Sequence, residues 1–254
     1  YSPYSELAKM SFETPRMVNT NGGQIRIFMP KFGNINERRH QLHEVIRLSG
    51  MNIVINDIDV PLIIKVASIP KERIQVYFID NDEYFARTGT LFDEENNMYP
   101  DNDERCIFFA KGIVETVKKL NWLPDIIHIH GWVSALLPLY LRTYYKDEPI
   151  FSESKIITSV FDSDYEGALD ASLINKVAFD GISKKTIDPL KNPTYYNLMR
   201  IAIKHSDGVI VVSEDMPEDF KTYLKNLRKP VIYNSDKETF QDSYHDFYTK
   251  ILKK

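Results

Sequence analysis

Two histidines at the end of a short apolar run could do polar chemistry. His128 and His130 end the sequence Asp125-Ile-Ile-His-Ile-His130, which has the β-branched composition of a buried strand. Side chains two apart on a strand point to the same face, so the pair could bind a metal ion. No third ligand is evident nearby, and we expect no metal site. His128 is predicted to be a buried, hydrogen-bonded side chain and His130 to lie at the mouth of a cleft.

A second polar group follows another apolar run. Lys155–Val160 predicts a strand, and the sequence continues as Phe161-Asp-Ser-Asp-Tyr-Glu-Gly167. Asp162 could bind sugar hydroxyls or a cation together with its acidic neighbours, and a solvated loop is the simpler alternative. Trp132 could stack on a sugar face, although a Trp in the first turn of a helix more often packs in the core. Tyr165 is a further candidate for ligand binding.

The elements that must position these groups alternate along the chain. Short apolar runs separated by amphipathic segments are typical of a parallel sheet wrapped by helices. We predict an α/β fold with a three-layer, Rossmann-like parallel sheet, formed as one domain over residues 1–254. The predicted strands are Gln24–Met29, Met51–Ile55, Leu62–Ala67, Ile74–Ile79, Asp125–His130, Lys155–Val160 and Gly208–Val212. Ligands of such sheets gather beyond the carboxyl ends of the strands, which is where both polar groups should lie.

Helices are predicted between these strands, with Met51–Ile79 as a small β-rich, hairpin-like insertion or sheet edge. The clearest helix runs from about Asp101 to Leu120, with Asp101 as its cap and Arg105 as a salt-bridging or loop-anchoring residue. Direct ligand contact by Asp101 and Arg105 is the alternative. The other predicted helices are Trp132–Tyr145, Pro193–His205, Asp215–Leu227 and Lys237–Leu252, and residues 162–192 are predicted to be irregular.

Composition excludes several classes of function. The net charge of −4, from 32 basic and 36 acidic side chains, gives no positive field for nucleic acid. The most apolar window, Ile126–Leu141, is too short to cross a membrane. The only cysteine, Cys106, cannot form an internal disulfide, so we expect a cytoplasmic protein. Glycine-rich phosphate loops are absent, and we predict no cofactor.

Tyr99-Pro-Asp-Asn-Asp-Glu-Arg105 resembles D-N-x-x-R-F, a motif of the glycogen/starch synthase family, glycosyltransferase family 5. Leu123-Pro-Asp-Ile-Ile-His-Ile-His-Gly-Trp132 resembles its P-D-[VI]-[VI]-H-x-H-D-W motif. Ile25-Arg-Ile-Phe-Met-Pro-Lys-Phe-Gly33 and the segment 197–213 resemble two further motifs in the same order, so that the resemblance covers most of residues 24–215.

The resemblance implies the N-terminal half of a GT-B glycosyltransferase. Such an enzyme moves glucose from ADP-glucose to the non-reducing end of an α-1,4-glucan with retention of configuration. Its N-terminal domain shapes the acceptor side of the cleft. On this comparison, the first strand and the donor-binding domain are missing from the 254 residues. Expected partners are an α-glucan or nucleotide sugar, a second copy of the chain, or a separate donor-domain chain.

The sequence departs from the family where the resemblance implies chemistry. The family Asp of H-x-H-D-W is replaced by Gly131, and the His that contacts the reacting glucose is replaced by Phe161. The glycine-containing loop near the N-terminus has no counterpart either. Losing one positioned transition-state contact lowers a rate by roughly 10²–10³. We therefore predict no catalytic residues here.

Three classes of function remain open. The first is a degenerate glucosyltransferase domain that binds glucan or a partner without catalysis. The second is an active glucosyltransferase that is completed by a separate donor-domain chain. The third is a scaffold that has been repurposed for protein interaction.

Overall fold

The structure, a computed structural model, describes residues 5–234 and 240–253. The chain divides after Leu120 into two compact units, and each unit has a β-sheet of its own. The single domain predicted over residues 1–254 stays a prediction. The α/β class is confirmed, because each unit combines helices with a β-sheet, and in the second unit helices alternate with parallel strands.

The first unit contains a mixed five-stranded sheet. Its strands are β1 (Arg26–Pro30), β2 (His43–Glu44), β3 (Met51–Ile55), β4 (Ile58–Ser68) and β5 (Gln75–Asp80). The strand order is β1-β5-β4-β2, and β3 also pairs with β4. Strands β1 and β5 are parallel, whereas β4 is antiparallel to each of its neighbours. The parallel pairing that the apolar runs predicted is therefore confined to one strand pair in this unit.

The β-rich stretch Met51–Ile79, predicted as a hairpin-like insertion or sheet edge, contains a hairpin of β3 and β4, whereas β5 lies between β4 and β1 within the sheet. Strands β3 and β4 pair in antiparallel register from Met51 opposite Leu62 to Ile55 opposite Ile58. The connecting residue Asn56 has a φ of 55°, a left-handed conformation that asparagine adopts more readily than most residues.

The helices of the first unit are α1 (Glu6–Thr20), α2 (Glu37–His40), α3 (Asp82–Phe85) and α4 (Asn102–Leu120). Helix α4 begins one residue after Asp101 and packs on β3, β4 and β5. Gly112 permits this close approach, because a Cβ there would lie 3.0 Å from Cγ2 of Ile79. Helix α1 ends before Gly22, whose φ of 80° forms the turn between α1 and β1.

The second unit contains a four-stranded parallel sheet. Its strands, in the order β6-β7-β8-β9, are β6 (Ile126–His130), β7 (Lys155–Val160), β8 (Gly208–Val211) and β9 (Val231–Tyr233). All three pairings are parallel, as the apolar runs predict. Strand β9 is not predicted from the sequence, because three residues after Pro230 are too few for a periodic signal.

The helices of the second unit are α5 (Leu137–Arg142), α6 (Leu173–Phe179), α7 (Tyr195–Lys204), α8 (Glu218–Lys225) and α9 (Phe240–Leu252). The predicted helix over residues 132–145 is wrong in its bounds. A 3₁₀ turn spans Trp132–Ser134, and α5 begins only beside Pro138. Proline lacks a backbone N–H and therefore suits the first turn of a helix. The stretch 162–192 was wrongly predicted to be irregular throughout, because it contains α6. Residues 237–239 of the last predicted helix lie outside the described residues.

Candidate functional site

The two histidines project from β6 on one face, as their spacing predicts. Their ring centroids are 4.3 Å apart. His128 is hydrogen-bonded through both nitrogens: Nδ1 lies 2.6 Å from Oη of Tyr248 on α9, and Nε2 lies 2.7 Å from Oγ of Ser159 on β7. Burial and the neighbouring imidazole hold the pKa of His128 well below its usual value. His128 is therefore a neutral, hydrogen-bonded side chain at physiological pH.

His130 ends β6 at the carboxyl edge of the sheet. Its ring lies 5.7 Å from the ring of Phe161, which follows β7. Burial lowers the pKa of His130 to about 4, so this imidazole is also neutral near pH 7. Across the described ranges, no group of three or more His, Cys, Asp or Glu side chains is arranged to hold a metal ion.

Gly131 and Trp132 form the turn that leaves β6. Gly131 has φ 74° and ψ 171°, a conformation that is essentially restricted to glycine. Trp132 is 7% exposed, and its ring meets that of Tyr165 edge-on at 6.4 Å. Tyr165 is 6% exposed. Both aromatic candidates therefore pack against each other rather than presenting a flat face to solvent, and their binding of a ligand stays a prediction.

The loop after β7 carries the acidic candidates. Asp162 is exposed, and Oγ of Ser213, which follows β8, donates a hydrogen bond to its carboxylate. Asp164 is also exposed, yet desolvation by the surrounding protein raises the pKa of its carboxyl group to about 6. The nearby backbone N–H of Trp132 opposes this shift. Of the three carboxylates on this loop, that of Asp162 is fixed by a hydroxyl, and that of Asp164 has a pKa raised to about 6.

The carboxyl edge of the parallel sheet is acidic. The residues that follow β6, β7 and β8 are 131–134, 161–167 and 212–216, and these segments contain no lysine or arginine. They contain five carboxylates, of Asp162, Asp164, Glu166, Glu214 and Asp215, all on exposed residues. This edge is therefore suited to neutral hydroxyl groups and repels anions such as phosphates.

Asp101 lies in the first unit, where it anchors a loop. Its carboxylate accepts two hydrogen bonds from Arg87, one from Nη1 to Oδ1 at 2.8 Å and one from Nη2 to Oδ2 at 2.5 Å. This geometry closes the loop that connects α3 to α4. Direct ligand contact by Asp101 stays a prediction.

Arg105 is fully buried on α4. Its Nη1 donates to Oδ1 of Asn102 at 2.5 Å, and its guanidinium carbon lies 5.1 Å from the ring of Phe85 and 5.6 Å from those of Phe32 and Tyr99. Burial lowers the pKa of Arg105 to about 10. This environment favours the loop-anchoring alternative, and ligand binding by Arg105 stays a prediction.

Sequence reasoning missed four residues that surround the candidates. Ser159 and Tyr248 hold His128, Tyr195 bonds the backbone of Phe161, and Ser213 holds Asp162. A signal for Tyr248 exists in the apolar spacing of α9, but nothing local links it to a histidine 120 residues away.

The parallel sheet and the polar residues at its carboxyl edge define an α/β domain of the kind that binds ligands where its strands end. Comparison with known proteins identifies the family. The starch synthase catalytic domain matches residues 1–229, and the chain belongs to this family. Residues that match it come from both compact units.

Individual relatives agree with this assignment. The chain is similar to glycogen synthases of Chlorobium limicola (35% identity; 82% of this chain and 42% of the relative) and Chlorobium phaeobacteroides (37%; 68% and 36%). In fold it is similar to the catalytic domain of starch synthase IV from Arabidopsis thaliana, solved bound to ADP and acarbose. The TM-score is 0.68, and at 18% identity the match covers 98% of this chain and 47% of that one. The chain thus spans about two fifths of the length of the curated relatives.

None of the helices in the described ranges combines the length and the apolar character that crossing a bilayer requires.

Proposed function

We propose that this chain is the acceptor side of an α-1,4-glucan glucosyltransferase, and that residues 1–254 alone bind glucan without transferring glucose. The proposal rests on one observation, the acidic carboxyl edge of the parallel sheet. The carboxylates of Asp162 and Asp164 can accept hydrogen bonds from sugar hydroxyls. The same charges oppose a nucleotide diphosphate, so this edge suits the glucan better than ADP-glucose.

The expected lack of catalysis rests on two side chains. Gly131 offers no carboxylate, and Phe161 offers no imidazole beside the edge. His130 is the nearest imidazole to Phe161, and it is neutral near pH 7. A donor-binding half, on the same or on a separate chain, would have to supply the remaining polar groups.

Glucan binding is tested by native gel electrophoresis in glycogen and by calorimetry with maltoheptaose. We expect wild-type residues 1–254 to be retarded in the gel, and a double variant Asp162→Asn, Asp164→Asn to lose most of this retardation. Asp147→Asn, an exposed carboxylate of the same unit outside the edge, is the matched control and should bind as wild type does. Trp132→Ala is less informative, because its buried ring also supports the fold.

Transfer is tested in parallel with labelled ADP-glucose and glycogen. We expect no incorporation of glucose above background. Incorporation at enzyme-like rates by the chain alone would contradict the proposal. Binding of a protein partner without any glucan binding would instead favour a repurposed interaction scaffold.

A further inference from the structure

Helix α9 is seated closely on the parallel sheet of the second unit. A Cβ atom at Gly208 of β8 would lie 2.8 Å from Cζ of Phe247 and 2.9 Å from Cδ1 of Ile251. A Cβ at this position would have to displace the ends of these two side chains, which therefore lie directly on the backbone of β8. Phe240 and Tyr244 add to the buried face of the helix, so the docked helix covers one face of the strands.

A chain of hydrogen bonds joins α9 to two strands through His128. Oη of Tyr248 lies 2.6 Å from Nδ1, and Oγ of Ser159 lies 2.7 Å from Nε2. The Tyr248 ring meets the imidazole edge-on, with centroids 5.7 Å apart. One imidazole therefore connects α9, β6 and β7, and it uses both of its nitrogens to do so.

Within residues 5–234 and 240–253, no carboxylate is found against His128 to compensate for a positive charge. The described groups that face His128 are His130 on its own strand, Ser159 on β7, and Tyr244 and Tyr248 on α9. Hydroxyls can accept hydrogen bonds from an imidazolium, but they carry no negative charge. Asp242 and Asp246 of α9 are exposed rather than turned onto the imidazole.

The imidazole of His130 further disfavours a positive charge on His128. His130 lies 4.3 Å from His128, ring to ring, and its Nδ1 is buried without a hydrogen-bond partner among the described residues. Charging either ring would place a cation against the other. Both pKa values are accordingly lowered, that of His128 by burial and by His130, and that of His130 by burial.

We propose that Tyr248, His128 and Ser159 form a proton-sensitive latch, and that proton uptake by the His128–His130 pair releases α9 from the sheet. The inference does not depend on glucan binding. The protons come from solvent and stay on the imidazoles, which water solvates once the helix has left. Because a free histidine titrates near pH 6.5, the docked state is fully favoured above that pH and loses stability as the pH falls below it. The docking equilibrium should change by about tenfold per pH unit for each proton taken up.

The test is hydrogen exchange of residues 1–254 between pH 7.5 and pH 5.0, corrected for the intrinsic pH dependence of exchange. We expect exchange of α9 to accelerate at least tenfold at the acid end relative to α4, a helix that contains no histidine. His128→Gln with His130→Gln should abolish this pH dependence. His245→Gln, on the exposed face of α9, is the matched control and should retain it. A ratio of α9 exchange to α4 exchange that does not change with pH would overturn the latch.

Two further measurements remain informative if the double variant does not fold. Tyr248→Phe removes one hydroxyl, and we expect faster α9 exchange already at pH 7.5. Nitrogen NMR of the wild-type imidazoles should show both rings neutral at pH 6 while α9 is docked. A positively charged His128 in the docked state at that pH would overturn the proposal.

Discussion

The hydroxyl of Tyr195 bonds both backbone groups of Phe161. The N–H of Phe161 donates to Oη at 3.3 Å, and Oη donates to the Phe161 carbonyl at 3.2 Å. Phe161 is the first residue after β7, where no further strand pairing satisfies its backbone. A side chain from the start of α7 thus fixes the direction in which the acidic loop 161–167 leaves the sheet.

Tyr195→Phe should therefore loosen this loop. The change leaves two buried backbone groups without a partner, and we expect the free energy of unfolding to fall by about 1–3 kcal/mol. Hydrogen exchange of residues 161–167 should become faster while that of β8 is unchanged. Tyr196→Phe is the control, because its hydroxyl makes one longer bond, of 3.4 Å, to the carbonyl of Asp215. Equal effects of the two variants would contradict the assigned role.

The carboxyl group of Asp164 should titrate near pH 6 rather than near its ordinary value of 3.8. Desolvation disfavours the charged form of Asp164 in the folded protein. Its effect on the free energy of unfolding is therefore most favourable below pH 3.8, where the group is protonated in both states, and this stability is lost as the pH rises through about 6. We expect Asp164→Asn to stabilise the protein at pH 7 and to have less effect at pH 4. Carbon NMR of the aspartate carboxyls and urea unfolding at both pH values are the measurements. A midpoint near 4 would refute this environment.

Arg105 and its hydrogen-bond partner Asn102 are both buried, and we expect their removal to lower stability to different extents. Asn102→Ala leaves the buried guanidinium without its hydrogen-bond acceptor and removes the bond from Nδ2 to the Leu91 carbonyl. Stranding a buried charge typically destabilises a protein by about 3–5 kcal/mol. Arg105→Met removes the charge and keeps an unbranched side chain among the aromatic rings, so its effect on unfolding in urea should be clearly smaller. The reverse order would show that the guanidinium itself stabilises the fold.

Gly131→Asp introduces a carboxylate where the resemblance implies the Asp of the family motif. The backbone conformation of this position, however, is unfavourable for any side chain. At φ 74° and ψ 171° a side chain is strained, and we expect a loss of about 1–3 kcal/mol in the free energy of unfolding. Glucosyl transfer should not appear in the variant. Thermal unfolding and the labelled ADP-glucose assay provide the two readouts. A variant as stable as wild type would mean that the turn after β6 relaxes without strain.

Much of the fold follows from local patterns. The predicted bounds of β3 and β7 match the structure, and α4 starts within one residue of its prediction. Runs of β-branched residues and a 3.6-residue apolar period are properties of neighbouring residues, and backbone geometry converts them directly into strands and helices. The same period-two rule placed His128 and His130 on one face. Short elements such as β9 and α6 were missed, because few residues carry too little periodicity.

Chain composition and spacing predicted the α/β class and the family motifs, and the resemblance implies polar residues where this chain has Gly131 and Phe161. Only the folded chain decided which groups meet: Tyr248 with His128 across 120 positions, and Ser213 with Asp162 across 51. Such contacts depend on how helices and loops pack on the sheet. That packing depends on the burial of apolar surface over the whole chain, so no local pattern can encode it.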